Sequence, residues 1–210
     1  MAGDYTPAQR ELQDRFDTRR LADRLSVGTS DTVGEAFKAF IEARDMFFIA
    51  TVDDDGFPQC SYKGGEAGFV RVLDPSTVAF PMYDGNGMFL TSGNLTGANP
   101  NVGLLFVNFE DGTRLRLNGA ASVDHDDPLA AEYPHALFVV RVTVRAVFAN
   151  CRRYVHRMEL VDRSVFVPQG EEAPPVPDWK QNAWFDGALP AGDPALDPGS
   201  PSAPSIPNYP

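Results

Sequence analysis

Cysteine, histidine and positive charge are all scarce in this chain, and each scarcity removes a class of function. The two cysteines, Cys60 and Cys151, lie far apart and form no CxxC pair. Neither a dithiol redox centre nor a zinc site is therefore indicated, and both are expected to be buried free thiols. The three histidines, His125, His135 and His156, sit in no ligand motif. Lysine and arginine number 18 against 29 aspartates and glutamates, for a formal net charge of −11. Nucleic acid is thus not an expected partner, because its phosphates must be met by cations. Anionic membranes are disfavoured for the same reason. No apolar run nears the roughly 20 residues of a membrane span. The charged stretch from Met1 to Arg24 lacks the apolar centre of a secretion signal, so the cytoplasm is the expected compartment. No Ser/His/Asp set or carboxylate pair stands at a triad or dyad spacing, so no catalytic residue is nominated.

What is present suits one domain with appendages: 210 residues, 43% of them hydrophobic. Residues 1–30 are expected to form a helical arm, 31–165 the main domain, and 166–210 a Pro-rich extension whose last part is disordered. Thr6-Pro7-Ala8-Gln9 reads as a capping box opening a helix, with Leu12, Phe16, Leu21 and Leu25 as a sparse apolar stripe. A second box, Thr32-Val33-Gly34-Glu35, opens an amphipathic helix ending near Arg44. From Met46 the period changes to that of strands. Candidates are Met46–Val52, Phe57–Lys63, Phe69–Leu73, Thr77–Pro81, Val102–Phe109, Arg114–Val123 and Ala136–Phe148. Val102–Phe109 is almost wholly apolar, so both its faces are expected to be covered. Along the last run Phe138, Val140, Val142, Val144, Ala146 and Phe148 share a face. Sequential strands with tight turns favour an antiparallel barrel. In the extension, Trp179 and Trp184 are expected to dock.

The chemistry-bearing stretch runs from Phe57 to Gly119. Ser61 and Lys63 stand two apart, so a strand would point both to one side. Gly64-Gly65 permits close approach of backbone to a ligand. Asp84-Gly85-Asn86-Gly87-Met88 would form a turn with amides free to meet an anion, and Gly93-Asn94-Leu95 follows. Arg114, Arg116 and Asn118 share a strand face. Hydroxyls, fixed cations and converging N–H groups are what a phosphate requires.

The order of these pieces resembles the pyridoxamine 5'-phosphate oxidase-like, FMN-binding split-barrel family. Ser61-Tyr62-Lys63-Gly64 precedes Phe69-Val70-Arg71-Val72-Leu73-Asp74. Gly85-Asn86 then leads through Asn94-Leu95 and Asn99-Pro100 into Val102-Gly103-Leu104-Leu105-Phe106. Arg114-Leu115-Arg116-Leu117-Asn118-Gly119 and Asn150-Cys151-Arg152-Arg153-Tyr154 complete the match. The resemblance implies a mainly β fold with flanking helices: a six-stranded antiparallel split β-barrel, dimeric, holding FMN between subunits. It implies cofactor contacts from Ser61, Lys63, Gly64, Asn86, Gly87, Met88 and Asn94, and from Arg116 and Asn118 on the next strand, of the same subunit or the other. The phosphate strand and C-terminal Arg-Leu-x-Pro signature of the family's namesake are missing, which argues against oxidation of pyridoxamine phosphate itself. The expected function is an FMN-dependent oxidoreductase taking a hydride from a reduced nicotinamide or a small organic substrate. The alternatives are a reductase of the same fold using the deazaflavin F420, and a non-catalytic flavin or haem binder.

Overall fold

A computed structural model of the chain describes residues 5–203. They fall into two compact units divided between Glu159 and Leu160. The first unit opens with helices α1 (Pro7–Arg15), α2 (Arg19–Ser26) and α3 (Glu35–Glu42). Strands β1 (Met46–Val52), β2 (Pro58–Gly64), β3 (Arg71–Asp74) and β4 (Thr77–Tyr83) follow. Helix α4 (Leu90–Thr96) leads into β5 (Asn101–Asn108), β6 (Thr113–Asp124) and β7 (Ala136–Asn150). Every strand belongs to one antiparallel sheet in the order β2-β1-β5-β6-β7-β4-β3. The count is therefore seven rather than the expected six. Every candidate run in the sequence pairs, and the short β3 joins as an edge beside β4.

The sheet curls on itself. β1 and β4 are separated by three strands in the order, yet Phe47 of β1 meets Phe80 of β4 with ring centroids 5.0 Å apart. Phe106 of β5 closes on Phe47 at 5.4 Å, and Phe69 at 5.7 Å. Around these rings pack Ile41 of α3, Ile49, Leu104, Leu115 and Leu117, all essentially water-free. Each such side chain, fully buried, contributes about 1.5–3 kcal/mol. α3 is tied to the edge strand by polar bonds as well. Val72 N donates to Glu42 Oε1 at 3.0 Å, and Lys38 Nζ donates to Val72 O at 3.3 Å.

Four local expectations need correction. The box at Thr32 does not form; Gly34 is the N-cap of α3 and Thr32 N instead meets Ser30 Oγ. The arm is two helices, with Asp17 between them at φ 51°, and Leu12, Phe16, Leu21 and Leu25 are all exposed. The face of β7 changes over midway. Asn118 pairs with Ala146 but Gly119 pairs with Val144, so Arg145 is bulged out. Beyond that extra residue the parity flips: Val147 enters the core, while Ala146 and Phe148 leave it. Gly119 permits the bulge, since a Cβ there would stand 2.6 Å from Val142 Cγ1 and collide with the Thr143 carbonyl. Finally, both cysteines are exposed. Cys60 falls on the outward parity of β2 and Cys151 lies just past the end of β7.

The second unit is built from turns. Lys180 Nζ meets Asp193 Oδ2 at 2.8 Å, with both side chains almost wholly buried. Val176 bridges Ser202 in parallel. Trp179 packs edge-on against Phe185 at 5.1 Å, whereas Trp184 is 85% exposed and does not dock within the described residues. The disorder expected in the last part of the extension falls in part on residues 204–210, which lie outside the described residues. Among the described residues no helix is long and apolar enough to cross a membrane.

Candidate functional site

β2 is one edge of the curled sheet, and its parity decides what faces inward. Ser61 pairs with Ile49, which pairs with Leu104, which pairs with Leu117. Those three partners are core residues, so Ser61 and Lys63 lie on the inward side at the rim where the core ends. There the end of β4, the loop 84–89 and α4 converge on β2 to form a cleft of about 400 Å³. That volume lies in the range of small-molecule sites.

One wall of the cleft is polar: Ser61, Lys63, Thr91 and Ser92. The rest of the lining is aromatic and apolar, with Tyr62, Tyr83, Phe89, Met82, Leu90 and Leu137. Gly85, Asn86 and Gly87 complete it. In that loop Asn86 Oδ1 accepts the Met88 N–H at 3.1 Å, and Gly87 sits at φ 74°, a conformation glycine adopts without strain. Helix α4 is bolted beneath. The Ser61 and Thr91 hydroxyls lie 3.1 Å apart, and Asn94 Nδ2 donates to the buried Thr51 Oγ1 at 2.9 Å. Ser92 Oγ is buried with no hydrogen-bond partner among the described residues.

Lys63 is the single charged residue of the lining. Burial holds its ammonium below the usual lysine range. Burial raises the Tyr83 phenol, which Arg71 pulls partly back. Burial likewise raises Tyr62, with Asp45 adding to the shift. The wall therefore offers one ammonium and several hydroxyls against aromatic surface. That donor set fits an acceptor-rich anion attached to a planar ring.

Of the residues expected to touch a cofactor, Ser61, Lys63, Asn86 and Gly87 come together here. The others do not line this cleft. Met88 is exposed just beside it. Gly64 makes room for Tyr62, whose Cε1 would stand 2.9 Å from an added Cβ. Asn94 is committed to Thr51. Arg116 and Asn118 lie exposed on the outward face of β6. They share rows with Leu105, Phe48 and Tyr62, and with Gly103, Ala50 and Cys60 respectively. Arg71 points elsewhere: its guanidinium binds Glu132 and lies 4.4 Å over the Tyr133 ring. Burial pushes the Tyr133 phenol up to about 12.

Sequence reasoning nominated none of the aromatic and apolar lining residues Tyr62, Met82, Tyr83, Phe89 and Leu90, and it missed Thr91, Ser92 and Leu137 as well. Thr91-Ser92 carried a signal, two adjacent hydroxyls just after the glycine loop. Leu137 carried none, because it arrives from β7 only when the sheet closes. None of the three histidines lines the cleft. Among the described residues no cluster of three or more His, Cys, Asp or Glu is placed to hold a metal ion.

Comparison with known proteins follows the fold. Among curated proteins none matches. HupZ of Group A Streptococcus overlays with a TM-score of 0.47 at 17% identity, over 60% of this chain and 99% of its own. A Lactobacillus delbrueckii protein assigned as a pyridoxamine 5'-phosphate oxidase overlays with a TM-score of 0.45 at 28% identity, over 57% and 95%. HutZ, the haem storage protein of Vibrio cholerae, overlays at 0.41 and 18% identity, over 54% and 91%. Overlays this loose carry no functional argument. The sequence match to a family is firmer: the family model described as pyridoxamine 5'-phosphate oxidase matches residues 33–167, well over half of the chain. The chain belongs to the pyridoxamine 5'-phosphate oxidase family.

Proposed function

We propose that this protein is a cytoplasmic, homodimeric, FMN-dependent oxidoreductase acting on a small molecule. The observation that carries the reading is the composition of the cleft: one ammonium, clustered hydroxyls and an aromatic rim around about 400 Å³. Bound there, FMN supplies hydride or electron transfer, and the protein's part is to hold and orient it. Lys63, Ser61 and Thr91 hold the phosphate. Asn86 and Gly87 border the ligand, and Tyr62 and Tyr83 offer aromatic surface to the ring. Membership of a flavin-binding family supports the assignment. A single cation suits one phosphate better than the polyanionic tail of F420. No histidine is among the lining residues, so haem would find no imidazole ligand in this cleft.

The dimer reading rests on the outward face of β2-β1-β5-β6. Tyr62 and Ala50 are exposed there, and Phe48, Gly103 and Leu105 are half-covered. This is the second face of the apolar strand β5, and a second copy is its natural cover. Arg116 and Asn118 share that face and would reach the partner's cofactor. Purification without added flavin, followed by a visible spectrum, FMN titration and addition of NADPH, tests the proposal. Flavin bands, or saturable FMN uptake, that bleach with NADPH or another donor support it. A colourless protein that takes up no FMN defeats it. Uptake without reduction by any donor replaces the oxidoreductase with a flavin carrier.

A further inference from the structure

We propose that the helical hairpin α1–α2 is a docking face for an anionic lipid bilayer, entered by four apolar side chains and flanked by two arginines. The hairpin is built from a repeat. Arg10-Glu11-Leu12-Gln13-Asp14-Arg15-Phe16 recurs as Arg19-Arg20-Leu21-Ala22-Asp23-Arg24-Leu25. Both halves read Arg-x-Leu-x-Asp-Arg followed by an apolar residue. The contacts repeat as well. Arg10 meets Asp23 at 2.6 Å, and Arg19 meets Asp14, so the first arginine of each half holds the aspartate of the other. Reciprocal pairs of this kind relate two elements by an approximate twofold. Early residues of α1 thus lie beside late residues of α2, and the helices run antiparallel. At the open end Tyr5 Oη donates to Ala22 O at 2.9 Å.

A twofold normal to an antiparallel helix pair brings equivalent positions out on the same side. Leu12 and Phe16 stand one turn apart on α1, as Leu21 and Leu25 do on α2. The four therefore form one apolar face, and each is more than half exposed. No residue of either helix is buried. Helices this short are marginal on their own, and a concentrated apolar face marks an interaction site.

The charges around that face select its occupant. Arg15 and Arg24 follow Leu12 and Leu21 by one turn and stand at the edges of the face. Arg15 lies 5.9 Å from the centroid of the Phe16 ring. Neither arginine forms an ion pair among the described residues. Asp14, Asp17 and Asp23 are all neutralised by arginines of the hairpin, which leaves Glu11 against the two. Leucine and phenylalanine enter the boundary between headgroups and acyl chains, while arginines beside them meet anionic lipid phosphates. A second copy laid face to face would bring two pairs of uncommitted arginines together, and like charges oppose that contact. The acidic surplus of the chain lies elsewhere: residues 5–27 hold five of the 18 basic residues but four of the 29 acidic ones. Charges farther than about 8–10 Å from the lipid are largely screened at physiological salt.

Co-sedimentation of the full chain with lipid vesicles is the test. Wild type pellets with vesicles of mixed phosphatidylserine and phosphatidylcholine, stays in solution with phosphatidylcholine alone, and is released as salt rises. Arg15→Gln with Arg24→Gln weakens partitioning about tenfold or more. Leu21→Ser with Leu25→Ser abolishes it. None of these residues is buried or lines the cleft, so Tm and FMN titration stay as in wild type and separate lost docking from lost fold. Wild type that pellets with neither vesicle, or equally with both, overturns the proposal. So does a double arginine variant that partitions as wild type does. If wild type ignores vesicles but sediments as a larger assembly than the double leucine variant, the face belongs to a second copy instead. Flavin content plays no part in the readout, so the cofactor reading stands or falls separately.

Discussion

The two faces of the β2-β1-β5-β6 layer use the same strands for opposite ends. Inward parity gives Ile49, Leu104 and Leu117, a water-free core that ends at the rim in Ser61 and Lys63. Outward parity, one residue away, gives Tyr62, Phe48, Leu105 and Arg116, none of them buried. One face therefore stabilises the fold and ends at the rim of the cleft, and the other is the face that the proposed dimer would cover. The difference teaches that a single-residue step along a strand separates core side chains from uncovered ones here.

The adjacent leucines of β5 sharpen that contrast most strongly. Leu104→Ala removes a side chain that is 1% exposed and is expected to cost about 2–5 kcal/mol in chemical denaturation. Leu105→Arg faces outward, so each subunit keeps its fold, while analytical ultracentrifugation finds monomers where wild type finds dimers. Similar destabilisation by both substitutions would break the comparison. A wild type that sediments as a monomer at micromolar concentration would remove the partner face altogether.

Next in size is Asp127, which caps the turn Pro128–Glu132 and meets Arg141 Nε at 2.5 Å. The Arg141 hydrogen bond, chiefly, holds its carboxyl below the ordinary value. A depressed carboxyl contributes stability that is fully present above its unfolded value near 3.8. That contribution is lost as pH falls through the lower folded value. Asp127→Asn is expected to cost about 1–3 kcal/mol at neutral pH, the range for a disrupted buried polar contact. It should also flatten the acid limb of the stability curve. Denaturation at pH 7 and pH 3 reads both effects.

The smallest effect belongs to Cys60→Ser. The thiol is exposed on the outward face, so monomer stability should change by less than about 0.5 kcal/mol. Any larger loss would show that the outward face carries stability of its own.

Much of this plan was legible beforehand, and the failures have physical causes. Short apolar or alternating runs bounded by turns located all seven strands; β2 and β6 alternate, whereas β4 is buried along five successive residues between the main core and a second cluster of Ala79, Tyr133 and Val139. The strand total implied by family resemblance was one short, since β3 is a four-residue edge. The bulge at Arg145 was not readable from β7, where apolar residues continue on both sides of it. Its cause sits on the neighbouring strand at Gly119. Cys60 was expected inside on residue type alone, but parity placed it outside. In the cleft, Ser61 with Lys63 and Asn86 with Gly87 were visible because they are local in sequence. Ser92 stood in the adjacent hydroxyl pair that went unread, Leu137 depends on closure of the sheet, and Arg116 and Asn118 lie on the outward face away from this cleft.

The central claim is that the Lys63 corner binds a phosphorylated flavin, and equilibrium titration of wild type and Lys63→Met with FMN tests it directly. Because burial depresses the Lys63 ammonium and a bound phosphate would raise it, affinity should be full between the second ionisation of the phosphate, at about pH 6, and that depressed value. It should decline as pH rises through the depressed value of the free protein. The account predicts that wild type binds FMN with this pH dependence, and that Lys63→Met binds about 10–100-fold more weakly with the dependence lost. Equal affinity for the two proteins at every pH would contradict it.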